Sequence, residues 1–191
     1  MKKGRLEAFS DGVIAILITI MVLELKTPRD ASWTALRQSA PVLAPYVLSF
    51  VFLAIYWNNH HHMMHLVDRV NGAILWANMH LLFWLSLVPF VTSWMGQYFH
   101  PAPAAAYGVV LLMASIAYYI LARVIIASQG PGSRLAAAVG GDRKGLVSTG
   151  LYAAAIPLAF WQPWLAAGIY ILVALIWLVP DRRIEARFSE D

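Results

Sequence analysis

Apolar residues run through this chain in long blocks, separated by short polar segments. The blocks are Gly12–Leu25, Pro41–Asn59, Ala73–Trp94, Ala104–Ala127 and Leu146–Val179. A helix rises about 1.5 Å per residue and a bilayer core is about 30 Å thick, so a crossing takes about 20 apolar residues. The first block reaches that length once the semi-polar turn Leu6–Asp11 is added. The last block has 34 residues without a charge. As one helix it would extend about 50 Å, too long for a single crossing. It divides at Trp161-Gln162-Pro163-Trp164, where proline interrupts a helix and tryptophans suit the lipid–water boundary. The pattern predicts an all-α membrane protein with six transmembrane helices per subunit. They lie at about 6–25, 41–59, 73–94, 104–127, 146–160 and 164–179, in one domain over 1–191. The segments Lys26–Ser39 and Gly130–Lys144 are predicted as loops, Gly96–Pro103 as a proline-bearing turn, and Asp181–Asp191 as a charged tail.

Composition agrees with a lipid environment. Of 191 residues, 60% are hydrophobic and 13% are charged, against about 25% charged in soluble domains. Cysteine is absent, which excludes disulfides, thiol nucleophiles and thiolate metal sites. The net charge of +4 is dispersed among the spans, so no nucleic-acid partner is expected. Eleven of the 14 basic residues fall on the side holding both termini, and three (Lys26, Arg29, Arg37) on the other. The positive-inside rule then places both termini in the cytoplasm. Lys2, Lys3 and Arg5 precede the first block as in a leader sequence, but Glu7 and Asp11 interrupt it and no small-residue cleavage site follows Leu25. The segment is therefore kept as the first span.

Within that span Gly12, Ile16, Thr19, Ile20 and Leu23 recur at three- and four-residue spacing and share one helix face. Such a face suits contact with lipid or another helix. It equally suits a pore lining, in which a ring of aliphatic side chains gates by dewetting. Asp11 precedes Ile16 by about 7.5 Å along the axis and is expected to anchor the helix or attract cations at the inner mouth. Arg5 and Phe9, four apart, are expected to stack, and Ser10 to bond backbone or a neighbouring helix. His60, His61, His62 and His65 form the densest polar cluster, at the cytoplasmic end of the second span. His61 and His65 share a helix face as a metal pair would, but only Asp68 is an acidic neighbour in sequence, and no metal site is expected. Asn78 and His80 are deep in the third span and are expected to tie helices together. No H-E-x-x-H, G-x-S-x-G or phosphate-cradling glycine loop occurs, and Gly140-Gly141-Asp142-Arg143-Lys144 reads as loop. No enzymatic activity and no cofactor are expected.

Arg5-Leu6-Glu7-Ala8-Phe9-Ser10-Asp11-Gly12 fits an R-x-x-x-F-S-D pattern ahead of an apolar run. It resembles the start of the transmembrane protein 175 family of potassium-permeable channels. Tyr46–Phe50, Trp57-Asn58-Asn59-His60-His61 and Leu85–Phe90 look like further pieces of that family. The resemblance covers about Arg5–Thr92, and the second half mainly by span count. It implies a single six-span unit assembled as a homotetramer in a bacterial inner membrane, with the first span of each subunit lining a central pore. The family's constriction lies five positions past the motif aspartate, with layers four and seven positions further on. Here those positions are Ile16, Ile20 and Leu23, and Thr19 takes the place of a hydroxyl that aids selectivity. Arg5, Phe9, Ser10 and Asp11 become the structural anchor, supported by Trp57, His60, His61 and His80. The histidine run is longer than the family's W-x-x-H-H pattern, so the imidazole with the structural role stays open. No T-V-G-Y-G filter is present.

Three functions fit these features: a homotetrameric, passively conducting potassium-permeable channel in contact with membrane lipid, a proton-coupled secondary transporter, and a membrane scaffold without transport. The stripe Ile16, Ile20, Leu23 and the R-x-x-x-F-S-D start favour the channel. A transporter's second repeat would bring polar residues to membrane depth, and the second half lacks them.

Overall fold

The structure is a computed structural model describing residues 2–130, 132–139 and 142–178, and every regular element among them is a helix. In chain order these are α1 (Lys3–Leu23), α2 (Trp33–Gln38), α3 (Ala40–His65), α4 (Gly72–Ser86), α5 (Val88–Gln97), α6 (Pro101–Gln129), α7 (Arg134–Val139), α8 (Arg143–Trp161) and α9 (Pro163–Leu178). Four stretches are long and apolar enough to cross a membrane: α1, α3, α4 with α5, and α6. α9 is apolar but shorter. The tail Asp181–Asp191 and the pair Gly140-Gly141 lie outside the described residues.

Several boundaries differ from the sequence pattern, each for a local reason. α3 continues through the whole histidine run to His65. The segment predicted as the loop Lys26–Ser39 contains α2, whose first turn is capped by Ser32 Oγ accepting from the Ala35 N–H at 3.1 Å. The predicted loop Gly130–Lys144 likewise contains α7. The prolines of the predicted turn Gly96–Pro103 instead start α6, where a missing N–H costs nothing.

The third span is two helices, because Pro89 cannot continue the α-helical ladder. The Leu87 N–H turns to Trp84 O at 3.2 Å. Phe83 O, left without that donor, accepts from Ser86 Oγ at 2.7 Å.

The core gathers around α6, which packs on α4, α5, α8 and α9. Ala114, Ala117, Ala155, Ala159 and Ala166 are fully buried there, and small residues let helices approach closely. The same logic fixes Gly108. A side chain there would overlap the hydroxyl of Tyr170, which donates to Ala104 O at 2.9 Å. A buried hydroxyl cluster joins three helices: Ser49 of α3 lies 2.6 Å from Thr92 of α5 and 2.8 Å from Tyr107 of α6.

α1 lies at the side of this bundle, against α3, α4 and α5. One of its faces is therefore seated and another is left open.

Candidate functional site

The seated face of α1 is Leu6, Ser10, Ile14, Leu17 and Met21, all buried. Their spacing of four, four, three and four residues draws one line along a helix of 3.6 residues per turn. Ile16, Ile20 and Leu23 fall about a third of a turn away. They are 58%, 41% and 77% exposed. Phe9 and Gly12 are exposed on the same side and extend the stripe towards the N-terminus. Thr19 is exposed beside it, its hydroxyl donating to Ala15 O at 2.9 Å. The hydroxyl's lone pairs remain open to the outside.

Ser10 and Asp11 turn the other way and fasten α1. The Ser10 hydroxyl donates to Leu6 O at 2.9 Å and accepts from Asn78 Nδ2 at 2.9 Å. Asn78 Oδ1 lies 2.7 Å from His60 Nε2. With the amide donating to Ser10, that oxygen is an acceptor and Nε2 carries the imidazole proton. Ser10, Asn78 and His60 are each fully buried. Three helices, α1, α4 and α3, thus meet through one side-chain chain. Alongside it, the Trp57 indole N–H donates to Asp11 Oδ1 at 2.9 Å. Trp57 stacks on His61 at 5.8 Å and 21°. His61 Nδ1 lies 3.9 Å from Glu7 Oε1. Lys3 Nζ donates to His65 O at 2.9 Å.

Not every predicted residue joins this network. Arg5 and Phe9 are both exposed on α1 and do not stack; among the described residues the cation–π contact is Arg123 over Tyr119, at 6.0 Å. His80 stays on its own helix and accepts from Trp84 Nε1 at 3.0 Å. Two residues apart on a helix is about 200° of rotation, so Asn78 and His80 cannot both reach α1. His60 takes the buried role and His61 the outer one. Glu7 is the residue that sequence reading missed. No local spacing pointed to it, because its partner His61 is on another helix.

At the far end of α1, Ser93 Oγ donates to Glu24 Oε2 at 3.3 Å and accepts from Gln97 Nε2 at 2.9 Å. Leu17, Ile20 and Glu24 there face Phe90, Trp94 and Tyr98 across an open groove.

Trp57→Phe keeps an aromatic ring beside His61 but removes the donor to Asp11. The expected loss is about 1 kcal/mol, or roughly 2–4 °C in thermal midpoint for a chain of this size. Thermal unfolding of the purified variant measures it.

The chain has known relatives. A family model described as "Endosomal/lysosomal potassium channel TMEM175" matches residues 5–89. A protein of Chryseobacterium sp. (strain P1-3), named a potassium channel, is 53% identical over 192 residues, covering 100% of both chains. The chain belongs to the TMEM175 family. A potassium channel of Chamaesiphon minutus is 32% identical over 188 residues, 90% of this chain and 91% of that one. The crystal structure of a lysosomal potassium-selective channel TMEM175 homolog from Chamaesiphon minutus superposes with a TM-score of 0.81 at 29% identity. It covers 93% of this chain and 96% of the other. The TMEM175 model match spans α1 to α4 and the start of α5, the half that carries both the exposed stripe and the network fastening α1.

Proposed function

We propose that this protein is the subunit of a potassium-permeable cation channel that conducts passively. α1 lines its pore, and Ile16, Ile20 and Leu23 form stacked constrictions with Thr19 beside them. The observation that carries the reading is the stripe itself. It is apolar and exposed, on a helix whose seated face is fastened by a buried hydrogen-bond chain. The potassium-channel names of full-length bacterial relatives support it.

One α1 cannot enclose a pore, so the reading requires several copies around a symmetry axis. A homotetramer, with six spans per subunit, is the assembly we favour. The two shorter helices α8 and α9 supply the fifth and sixth spans. An aliphatic ring offers no oxygen to replace an ion's hydration shell. Passage there depends on the cost of wetting the constriction and of stripping water, which is lower for potassium than for a smaller, more strongly hydrated sodium ion. Potassium is the conducted ion and no cofactor is needed. The lysine and arginine distribution supports both termini in the cytoplasm, and the bacterial relatives support a bacterial inner membrane.

Purified protein in liposomes carrying a potassium gradient is expected to give a passive potassium flux, and a smaller sodium flux under the mirrored gradient. An intact assembly that passes no potassium would overturn the proposal. A saturable flux driven only by a pH gradient would identify a transporter instead.

A further inference from the structure

The fold brings a carboxylate to His61 and His65, a histidine pair with helical metal-ligand spacing. We propose that Glu7, His61 and His65 bind a divalent transition cation of the zinc class, joining α1 to α3. One ligand atom from each of the three lies within 4.8 Å of the others. His61 and His65 are four apart on α3 and so occupy one face. Their ring centroids are 4.5 Å apart with the planes at 80°. Glu7 reaches them from α1, with Oε1 3.9 Å from His61 Nδ1.

The donor set selects the ion. Two imidazoles and one carboxylate suit zinc and its neighbours. Calcium and magnesium prefer oxygen shells. At metal–ligand distances of about 2.0–2.1 Å, tetrahedral ligand atoms stand about 3.4 Å apart. Rotations of the Glu7 and His65 side chains close the remaining gap. Trp57 stacks on His61 and holds the ring in place, as outer-shell groups do around bound metals. A fourth position stays open to water. The Lys3 ammonium is engaged with the carbonyl oxygen of His65, and its charge weakens the site without blocking a ligand atom. An ion held by α1 and α3 together binds the folded chain alone, and so raises its stability by mass action.

Binding is read without any flux measurement, so the outcome does not depend on the channel reading. The full-length protein is titrated with Co²⁺ as a spectroscopic probe, and with Zn²⁺ as competitor. One Co²⁺ per subunit, with visible absorption of a low-coordinate ion and displacement by Zn²⁺, is expected. His65→Ala and Glu7→Gln should each weaken binding at least tenfold while eluting as the wild-type assembly. His100→Ala, which alters an exposed histidine on another segment, should bind as the wild type does. If His65→Ala fails to assemble, Glu7→Gln decides the matter. Absence of saturable Co²⁺ binding overturns the site. So does wild-type affinity in Glu7→Gln, or an equal loss in His100→Ala.

Discussion

Ile16→Asn is expected to move the potassium-over-sodium permeability ratio towards unity and to raise total cation flux. The reasoning starts from position. Ile16 is more than half exposed on the open side of α1, so its replacement removes little packing within the subunit. In the proposed channel, repeated around the assembly axis, it places a ring of amides in place of a ring of aliphatic groups. Amides hold water, and a wetted constriction no longer makes an ion shed its shell. Lowering the barrier by about 1.4 kcal/mol raises conduction about tenfold. Both ions gain, and sodium gains more because it had more hydration to lose. Reversal potentials in planar bilayers with potassium on one side and sodium on the other measure the ratio directly. An unchanged reversal potential with an intact assembly removes Ile16 from the constriction.

Asn78→Leu, on α4, acts on the seated face of α1 and should destabilise the subunit. Leucine is close to asparagine in length, so the pocket stays filled. What is lost is the pair of hydrogen bonds to His60 and Ser10, at 2.7 and 2.9 Å. Ser10 still donates to Leu6 O and keeps one partner. His60 does not. Its Nδ1 already has no partner in this structure, and without Asn78 the buried ring loses its Nε2 contact too. A stranded buried donor costs about 1–3 kcal/mol. Ordinary interhelical hydrogen bonds in membranes contribute about 0.6 kcal/mol. A loss near the upper figure therefore marks the stranded imidazole, and a loss near the lower one an ordinary tie. Unfolding of the purified variant in detergent separates them. Asn78→Ser keeps a short polar group and should recover part of the loss.

The helical class and the main blocks were legible because soluble folds seldom carry several uncharged apolar runs of membrane length. The stripe at Ile16, Ile20 and Leu23 was also legible as a face. Which face points inward was not, because Ile14, Leu17 and Met21 are as apolar as the exposed set. A lipid-facing or pore-facing surface and a packed one have the same composition when the surroundings themselves are apolar. Only the resemblance to a channel family favoured one. Asn78 and His80 posed the same problem in polar form, since two buried-looking side chains two residues apart point in nearly opposite directions. Glu7 was out of reach for another reason. Its partner His61 lies 54 positions along the chain, and pairing across helices is decided by how α1 crosses α3. The short helices α2 and α7 were hidden by their charged and glycine-rich surroundings, although the Ser32 cap of α2 was there to be read.

α1 carries its two tasks on surfaces that share no residue. The side chains that seat it are Leu6, Ser10, Ile14, Leu17 and Met21, and none of them belongs to the open stripe. In the proposed channel, substitutions at positions 16, 19 and 23 can therefore change the lining without touching the side chains that seat the helix. The serine, asparagine and histidine beneath carry a different constraint, because each is buried and bonded to the next.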